Sequence, residues 1–244
     1  MDLKHTVVLV TGAARRVGGV TALTLARAGA KIVVHYHRSR VEAVATVRAI
    51  EDAGSEAIAV QADQTKPAQI RRAVATAIRH FGRIDVLVNN ASIFERTPFD
   101  AITMDDWERH LYANVIGPFF FARAVADGMR RRRRGKIINI ADWAALKPYP
   151  GYIPYCASKA ALLNTTVALA KTLAPHIQVN AICPGPVMWP EDLAASEQGR
   201  VKKKTLLRRL GTPEDVAQAV RYLIEAGDYV TGTSLVVDGG RLVF

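Results

Sequence analysis

The sequence predicts an α/β protein: a single doubly wound domain over residues 1–244, with a parallel sheet of about seven strands and helices on both faces. Three observations predict this class. Short apolar runs alternate with helix-length segments along the whole chain. These runs contain almost no polar residues, as strands buried on both faces require. No repeat, low-complexity linker or change of composition marks a second domain.

The elements follow one another in strict alternation. Strands are predicted at residues 7–10, 31–36, 57–60, 84–88, 136–140, 177–182 and 235–237. Helices are predicted at residues 17–28, 41–53, 67–81, 105–134, 152–174 and 213–226. Gly29, Gly54 and Gly82 end the first three helices, and Pro67 opens the third. Residues 186–212 are the least regular part, and they follow a strand's carboxyl end, where α/β folds place a substrate lid.

The composition excludes several classes of protein. With 50% hydrophobic and 23% charged residues, the chain is neither a disordered tail nor a collagen-like repeat. Two cysteines, Cys156 and Cys183, cannot build a disulfide framework and lie far from any CxxC spacing. No apolar run approaches the ~18 residues of a membrane span, and the first residues lack the apolar stretch of a signal peptide. We therefore expect a cytoplasmic protein with no membrane partner and no metal.

The net charge of +11 is the unusual bulk property. It indicates an anionic partner (a phosphorylated cofactor, an acidic substrate, nucleic acid or a membrane surface) or else a basic, solvated surface. Arg130–Arg134 end a long predicted helix, where cations suit the negative end of the helix dipole. Because no aromatic residues interleave with these arginines, we expect a surface here and not a nucleic-acid site.

The first strand runs into a glycine-rich turn, Thr11-Gly12-Ala13-Ala14-Arg15-Arg16-Val17-Gly18-Gly19. Gly12 permits the tight turn off the strand, and Gly18 lets the helix pack closely. Together they can present backbone N–H groups and a helix N-terminus to a pyrophosphate. A purely structural turn is the alternative, but the strand–turn–helix context favours dinucleotide binding.

The end of the second strand indicates which dinucleotide is bound. NAD-specific folds place Asp or Glu here to hold the ribose 2′-hydroxyl, whereas this chain reads His35-Tyr36-His37-Arg38-Ser39-Arg40. Arg38 and Ser39 can contact a 2′-phosphate, and Arg15 or Arg16 can reach the same region. An exposed basic turn is the alternative. Two arginine-bearing loops that converge favour the phosphate, and hence NADPH over NADH.

The segment Tyr152-Ile153-Pro154-Tyr155-Cys156-Ala157-Ser158-Lys159 opens a predicted helix and carries a candidate acid. Tyr155 and Lys159 are four residues apart and so share one helix face. A nearby ammonium stabilises the tyrosinate, so we expect it to lower the pKa of Tyr155 and make the phenol a better acid near neutrality.

These residues occur with others in a recognisable order: Thr11–Gly18, Asn89-Asn90-Ala91, Asn114, Tyr155 with Lys159, Pro184-Gly185 and Val237-Asp238-Gly239-Gly240. In this order the chain resembles, over essentially its whole length, the short-chain dehydrogenase/reductase family. The resemblance implies a Rossmann-type fold, a Tyr155–Lys159 proton-donor pair, a water relay aided by Asn114, and a homotetramer. The expected cofactor-binding residues are Gly12, Arg15, Arg16, Val17, Gly18, His37, Arg38, Ser39, Asp63, Asn90, Ala91, Ser92, Tyr155, Lys159, Pro184 and Gly185.

Two departures from the general family pattern resemble its pteridine reductase branch. The middle glycine of T-G-x-x-x-G-x-G is Arg16 here, and the catalytic serine thirteen residues before Tyr155 is Asp142. Phe94 falls where that branch places an aromatic ring against the pterin. The expected substrate-binding residues are Arg16, Ser92, Phe94, Asp142, Tyr155, Met188 and Trp189.

The chemistry of these departures points the same way. A serine hydroxyl donates to a ketone oxygen that becomes an oxyanion, whereas an ionised carboxylate repels it. A pterin presents a C=N bond whose nitrogen must gain a proton, which Asp142 can relay or orient. Two alternatives stay open here: Asp142 can simply cap the chain after the fifth strand, and Phe94 can belong to the core.

The leading hypothesis is therefore NADPH-dependent reduction of dihydropterins, with dihydrofolate as a further substrate. Asp142, Tyr155, Lys159 and Asn114 are its catalytic residues. One alternative is a carbonyl reductase of the same family, such as a 3-oxoacyl-thioester reductase, for which serine is expected in place of Asp142. The other is a non-catalytic NADPH-binding sensor, against which the intact Tyr155–Lys159 pair speaks.

Overall fold

A seven-stranded parallel sheet forms the centre of the molecule in the computed structural model, which describes residues 1–188 and 203–244. The strand order is β3-β2-β1-β4-β5-β6-β7, so the chain winds outward from β1 in both directions. The strands are β1 Val7–Val10, β2 Lys31–Tyr36, β3 Ala57–Gln61, β4 Val86–Asn89, β5 Gly135–Ile140, β6 Ile177–Pro184 and β7 Ser234–Val237. This is the single Rossmann-like α/β domain that the sequence predicts.

Helices cover both faces of the sheet. They are α1 Arg16–Arg27, α2 Arg40–Asp52, α3 Pro67–Phe81, α4 Met104–Leu111, α5 Gly117–Arg131, α6 Ile153–Leu173 and α7 Pro213–Glu225. Alternate residues of β1 serve the two layers: Val8 and Val10 pack in a core with α1, α2 and α7, while Val7 and Leu9 pack in a core with α3, α5 and α6. Every β1 residue is therefore buried, which explains its unbroken apolar run.

The long helix predicted at residues 105–134 is helical from Met104 to Arg131, but a π-helical turn divides it into α4 and α5. A capping box between Thr103 and Asp106 starts α4 one residue earlier. The helix then passes through a π-helical turn, Tyr112–Ile116, before α5 begins. Pro118 lies in the first turn of α5 and has no N–H to continue a regular helix. In a regular helix its ring would also crowd the carbonyl four residues back, that of Asn114. Asn114 thus lies in the irregular turn.

The predicted site residues that follow β1, β2 and β5 lie along one edge of the sheet. Because all seven strands are parallel, their carboxyl ends meet along the same side. The glycine-rich turn follows β1, the basic segment follows β2, and Asp142 follows β5. In the described parts of the chain, none of the helices combines the length and the apolar character that a bilayer crossing requires.

Candidate active site

The turn between β1 and α1 is shaped for close contact between backbones. Gly12 has φ +62, and a Cβ there would lie 2.9 Å from the Cα of Ala91. A Cβ on Gly18 would collide with the Gly12 carbonyl. The Asn90 side chain closes the turn by donating to the carbonyls of Thr11, at 2.9 Å, and Gly12, at 3.2 Å. Only glycine fits both turn positions, so the turn leaves backbone and no side chain at its centre.

Arg16 occupies a conformation that usually selects glycine. Its φ is +54, in the left-handed region, where a residue with a Cβ is strained. This is the position at which the general family pattern has its middle glycine. Arg15 beside it is extended, at φ −162. Both side chains are exposed and form no ion pair within the described chain, while Val17 packs on the core beneath them.

The residues after β2 form an exposed basic corner. Gln61 on β3 donates to the His37 carbonyl at 3.0 Å, and His37 Nε2 lies 3.9 Å from Asp63 Oδ2. Arg38 is exposed and, among the described residues, has no acidic partner. Ser39 N-caps α2 by position, although its side chain makes no capping bond. The corner thus presents Arg38 to solvent near the glycine-rich turn.

A triad of titratable side chains lies at the carboxyl end of β5, with Tyr155 and Lys159 buried and Asp142 partly buried. The Tyr155 hydroxyl donates to Asp142 Oδ2 at 2.7 Å, and Lys159 Nζ donates to the Ile140 carbonyl at 2.9 Å. Lys159 Nζ is 5.7 Å from the centre of the Tyr155 ring. Asp142 Oδ1 also accepts from the Ala144 N–H at 2.8 Å. The carboxyl group therefore caps the short helix Trp143–Ala145 and contacts Tyr155 at the same time.

Burial sets the ionisation of all three groups. It raises the pKa of Asp142 above its ordinary value, against the hydrogen bonds from Tyr155 and Ala144. It lowers the pKa of Lys159 to about 8, although the charge of Asp142 opposes this. Burial, followed by the charge of Asp142, raises the pKa of Tyr155 well above its ordinary value. The expectation that the pKa of Tyr155 is lowered is wrong, because burial and the neighbouring Asp142 raise it.

The side chain of Asn114 forms hydrogen bonds to two segments next to the triad. Its Oδ1 accepts from the Ile93 N–H at 2.9 Å and from the Ser92 hydroxyl at 3.1 Å. Its Nδ2 donates to the Ile93 carbonyl at 3.1 Å and to Ser158 Oγ at 3.0 Å. Through these four bonds Asn114 ties the loop after β4 to helix α6, beside Tyr155.

The rings of Phe94 and Tyr152 form an aromatic wall beside Tyr155 of the triad. Phe94 is 50% exposed, so the alternative that it belongs to the core is wrong. Its ring stacks on Tyr152, with centroids 4.6 Å apart and planes 8° from parallel, and it meets the Tyr155 ring edge-on at 4.8 Å. A bridge between Thr97 and Tyr152 fixes the two loops that carry the wall. The wall gives a flat substrate a face to lie against.

The other predicted residues lie at the same sheet edge or outside the described chain. Gly185 follows Pro184 at the end of β6, where a Cβ would lie 2.7 Å from Asp238 Cα. Met188 is partly buried. Trp189 and most of the predicted lid at residues 186–212 fall outside the described residues. The five arginines Arg130–Arg134 are all exposed at the end of α5.

The comparisons with known proteins agree with this site. Residues 12–241 match the family model described as enoyl-(acyl carrier protein) reductase. The chain is 33% identical to a variant of a Serratia marcescens short-chain dehydrogenase/reductase of known structure, with TM-score 0.93, covering 99% of this chain and 100% of that one. The chain belongs to the short-chain dehydrogenase/reductase family. It is thus related to oxidoreductases over almost its full length.

Two further matches bear on the substrate and the cofactor of this family member. It is 39% identical over 243 residues to a 3-oxoacyl-[acyl-carrier-protein] reductase of Synechocystis sp., covering 98% of this chain and 97% of that protein. It is 38% identical to a blue fluorescent protein from a metagenomic library, solved with NADPH, with TM-score 0.90 and 99% of each chain covered. The comparisons therefore support the carbonyl reductase alternative better than the pteridine reductase branch.

Sequence reasoning missed three residues of this short-chain dehydrogenase/reductase site. Tyr152 stacks on Phe94, Ser158 accepts from Asn114, and the buried His35 accepts from the glycine turn. His35 lies inside the apolar strand β2. A polar residue inside an apolar strand was the one available signal, since a buried polar side chain needs a partner.

Proposed function

We propose that this protein is an NADPH-dependent reductase in which Tyr155 gives a proton to the substrate. The observation that carries the proposal is the hydrogen bond of 2.7 Å between Tyr155 and Asp142, above the buried Lys159, at the sheet edge that also carries the glycine turn. This arrangement supports the proposal because a side chain with a shifted pKa lies at the same sheet edge as a glycine-rich turn that suits a nucleotide.

The residues present fit NADPH. The backbone cradle of Gly12 and Gly18 suits a pyrophosphate. Three exposed cations form no ion pair in the described chain and can bind a phosphate: Arg15, Arg16 and Arg38. When bound, NADPH supplies the hydride for the reduction.

The three side chains of the triad have different roles in proton transfer. Tyr155 is protonated at neutral pH, as an ordinary tyrosine is, and burial and Asp142 raise its pKa further, so a proton is available at its hydroxyl oxygen. The Lys159 ammonium stabilises the negative charge that develops on that oxygen as the proton leaves. Asp142 orients the hydroxyl, and its raised pKa lets the carboxyl hold a proton more readily than an exposed aspartate does.

The first candidate substrate is a ketone, of the 3-oxoacyl-thioester class. The 39% identical Synechocystis relative, a 3-oxoacyl-[acyl-carrier-protein] reductase, supports it. Asp142 then has to act as a neutral donor toward the ketone oxygen, in the place where the general family pattern has a serine hydroxyl. The raised pKa of Asp142 favours that neutral form.

The second candidate substrate is a dihydropterin or dihydrofolate. Asp142 favours it, since a C=N bond needs a proton on nitrogen and a carboxyl group can supply one. The exposed face of Phe94, edge-on to Tyr155, offers a stacking surface for a flat ring close to the proton donor. Arg16, exposed in the turn after β1, can donate to the acceptor edge of a pterin.

One substrate panel tests the proposal. NADPH oxidation is followed with an acetoacetyl thioester, dihydrobiopterin and dihydrofolate, each at several concentrations. Ketone turnover alone establishes the first candidate and removes the second, and pterin or folate turnover alone does the reverse. Tight NADPH binding without turnover of any of these would point to the non-catalytic sensor and contradict the proposal.

Arg38→Ala is expected to raise the KM for NADPH about 10- to 100-fold while changing the KM for NADH by less than about threefold. The reason is that a hydrogen bond to a charged group is worth about 1.5–3 kcal/mol, and only NADPH carries the 2′-phosphate. Steady-state kinetics with both cofactors measure the two values. Arg48→Ala, at an exposed arginine on α2, is the control. If Arg38→Ala changed the KM for NADPH and the KM for NADH equally, Arg38 would not recognise the phosphate.

The reduction rate is expected to fall as the pH rises through about 8, because Lys159 then loses its proton. The neutral amine no longer stabilises charge on the Tyr155 oxygen. The pH profile of kcat with saturating NADPH measures this. Lys159→Arg stays charged in this range, so its descending limb should move to higher pH; an unchanged limb would assign the titration to another group.

The proposal extends to assembly and location. We propose a homotetramer that works in the cytoplasm, by analogy with the family. Light scattering on the purified protein measures its mass in solution.

A further inference from the structure

We propose that His35 is a positioning residue for the bound dinucleotide, holding the glycine turn after β1 to the end of β3. The inference rests on the proposed NADPH-binding function and deepens it. His35 lies in β2, between the two strands whose ends it joins.

The hydrogen bonds of the ring fix its tautomer. The Gly12 N–H can only donate, so His35 Nδ1, 3.2 Å away, must be the acceptor. The Ala62 carbonyl can only accept, so His35 Nε2, 3.0 Å away, must carry the hydrogen. A neutral imidazole protonated at Nε2 is the single form that satisfies both partners.

The surroundings hold this form in place. The side chain is 1% exposed, and its ring meets the Phe121 ring edge-on at 5.0 Å. Burial lowers the pKa of His35 to about 4, so the ring is neutral at the pH of the cell. The acceptor at Nδ1 is therefore permanent, and the ring has little freedom to turn.

His35 joins two segments that we expect to contact opposite parts of the cofactor. Gly12 begins the turn for the pyrophosphate, while Ala62 directly precedes Asp63, which is expected on the adenosine side. The backbone adds to the link, since the Ala13 N–H donates to the His35 carbonyl at 2.9 Å. Without the ring, the partly buried Gly12 N–H and the buried Ala62 carbonyl would both lose this partner, and the turn would shift to satisfy them.

The test compares two variants of the full-length protein. His35→Leu keeps the approximate volume but removes both hydrogen bonds, and His35→Gln offers an amide oxygen to Gly12 and an amide N–H to Ala62. We expect the Kd for NADPH, measured by nucleotide fluorescence without substrate, to rise at least about tenfold in His35→Leu and less than about threefold in His35→Gln. In turnover assays the KM for NADPH should rise with little change in kcat.

Asn180→Leu is the matched control. Asn180 is also buried and also joins two backbone groups, by donating to the Val230 carbonyl at 2.8 Å and accepting from the Thr233 N–H at 3.1 Å. It lies in β6, four strands away from β2. Its loss should lower the melting temperature much as His35→Leu does, yet leave the Kd for NADPH unchanged.

The outcomes separate this inference from the proposed function. If wild-type protein fails to bind NADPH, the proposed function fails. If wild-type protein binds NADPH and His35→Leu binds it equally well, or if Asn180→Leu weakens binding as strongly, the positioning role is overturned. Should His35→Leu be insoluble, His35→Asn replaces it, because its shorter amide cannot span from Gly12 to Ala62; wild-type affinity in that variant likewise overturns the role.

Discussion

Tyr155→Phe is expected to lower the rate of reduction about a thousandfold, for whichever substrate the panel identifies. The variant keeps the ring that packs against Phe94 but removes the hydroxyl that donates to Asp142 at 2.7 Å. A positioned general acid contributes about 10²–10⁴-fold to a proton transfer. NADPH affinity should change little, because the hydroxyl contributes to the proton step and not to the glycine turn. Single-turnover kinetics with saturating NADPH measure the effect.

Tyr222→Phe provides the control for this substitution. Tyr222 is half-exposed on α7, away from the triad, and its variant should keep full activity. A Tyr155→Phe enzyme with more than about a tenth of the wild-type rate would show that another group, with Asp142 as the nearest candidate, delivers the proton.

Asp142→Asn is expected to separate the two candidate activities. Dihydropterin or dihydrofolate reduction should fall at least about a hundredfold, since the amide cannot pass a proton to nitrogen. Ketone reduction should stay within about tenfold of wild type, because the amide N–H can still donate to a developing oxyanion. The amide oxygen can also still accept from the Ala144 N–H, so the cap after β5 is preserved. Initial rates with both substrate classes measure the separation.

Asp215→Asn is a suitable control, since Asp215 also accepts backbone and side-chain hydrogen bonds but does so in the capping box of α7 and not in the triad. Equal loss of every activity in Asp142→Asn would mean that Asp142 acts only by holding Tyr155 in place. If the protein turns over one substrate class alone, the response of that activity still distinguishes a proton-relaying carboxyl from a hydrogen-bond donor.

Local features of the sequence were sufficient to predict most of the fold. Strand β2 and helix α3 have the bounds that the sequence predicts, because their apolar runs and their glycine and proline signals are local. The glycine turn was predictable for the same reason, since its conformational need is met within a few residues. Helix periodicity alone predicts that Tyr155 and Lys159, four residues apart, lie on one face of the helix.

Contacts between distant segments were beyond those local signals. Phe94 faces solvent beside Tyr152 because a bridge joins Thr97 to Tyr152, which no short window of sequence reveals. The π-helical turn between α4 and α5 lets the Asn114 side chain bond both the loop at Ile93 and helix α6. Likewise, the pKa of Tyr155 depends on how deeply the chain buries it, which is a property of the whole packed site.

The sequence by itself determined the doubly wound sheet, the glycine turn and the shared helix face of Tyr155 and Lys159, because each depends on residue types at short, regular spacings. Only the tertiary structure decided that Asp142 contacts both Tyr155 and the chain that it caps, and that His35 joins Gly12 to Ala62. The physical reason is that hydrogen bonds and burial act between residues that are close in space, and the fold brings together residues that are 13, 23 and 27 positions apart in the chain.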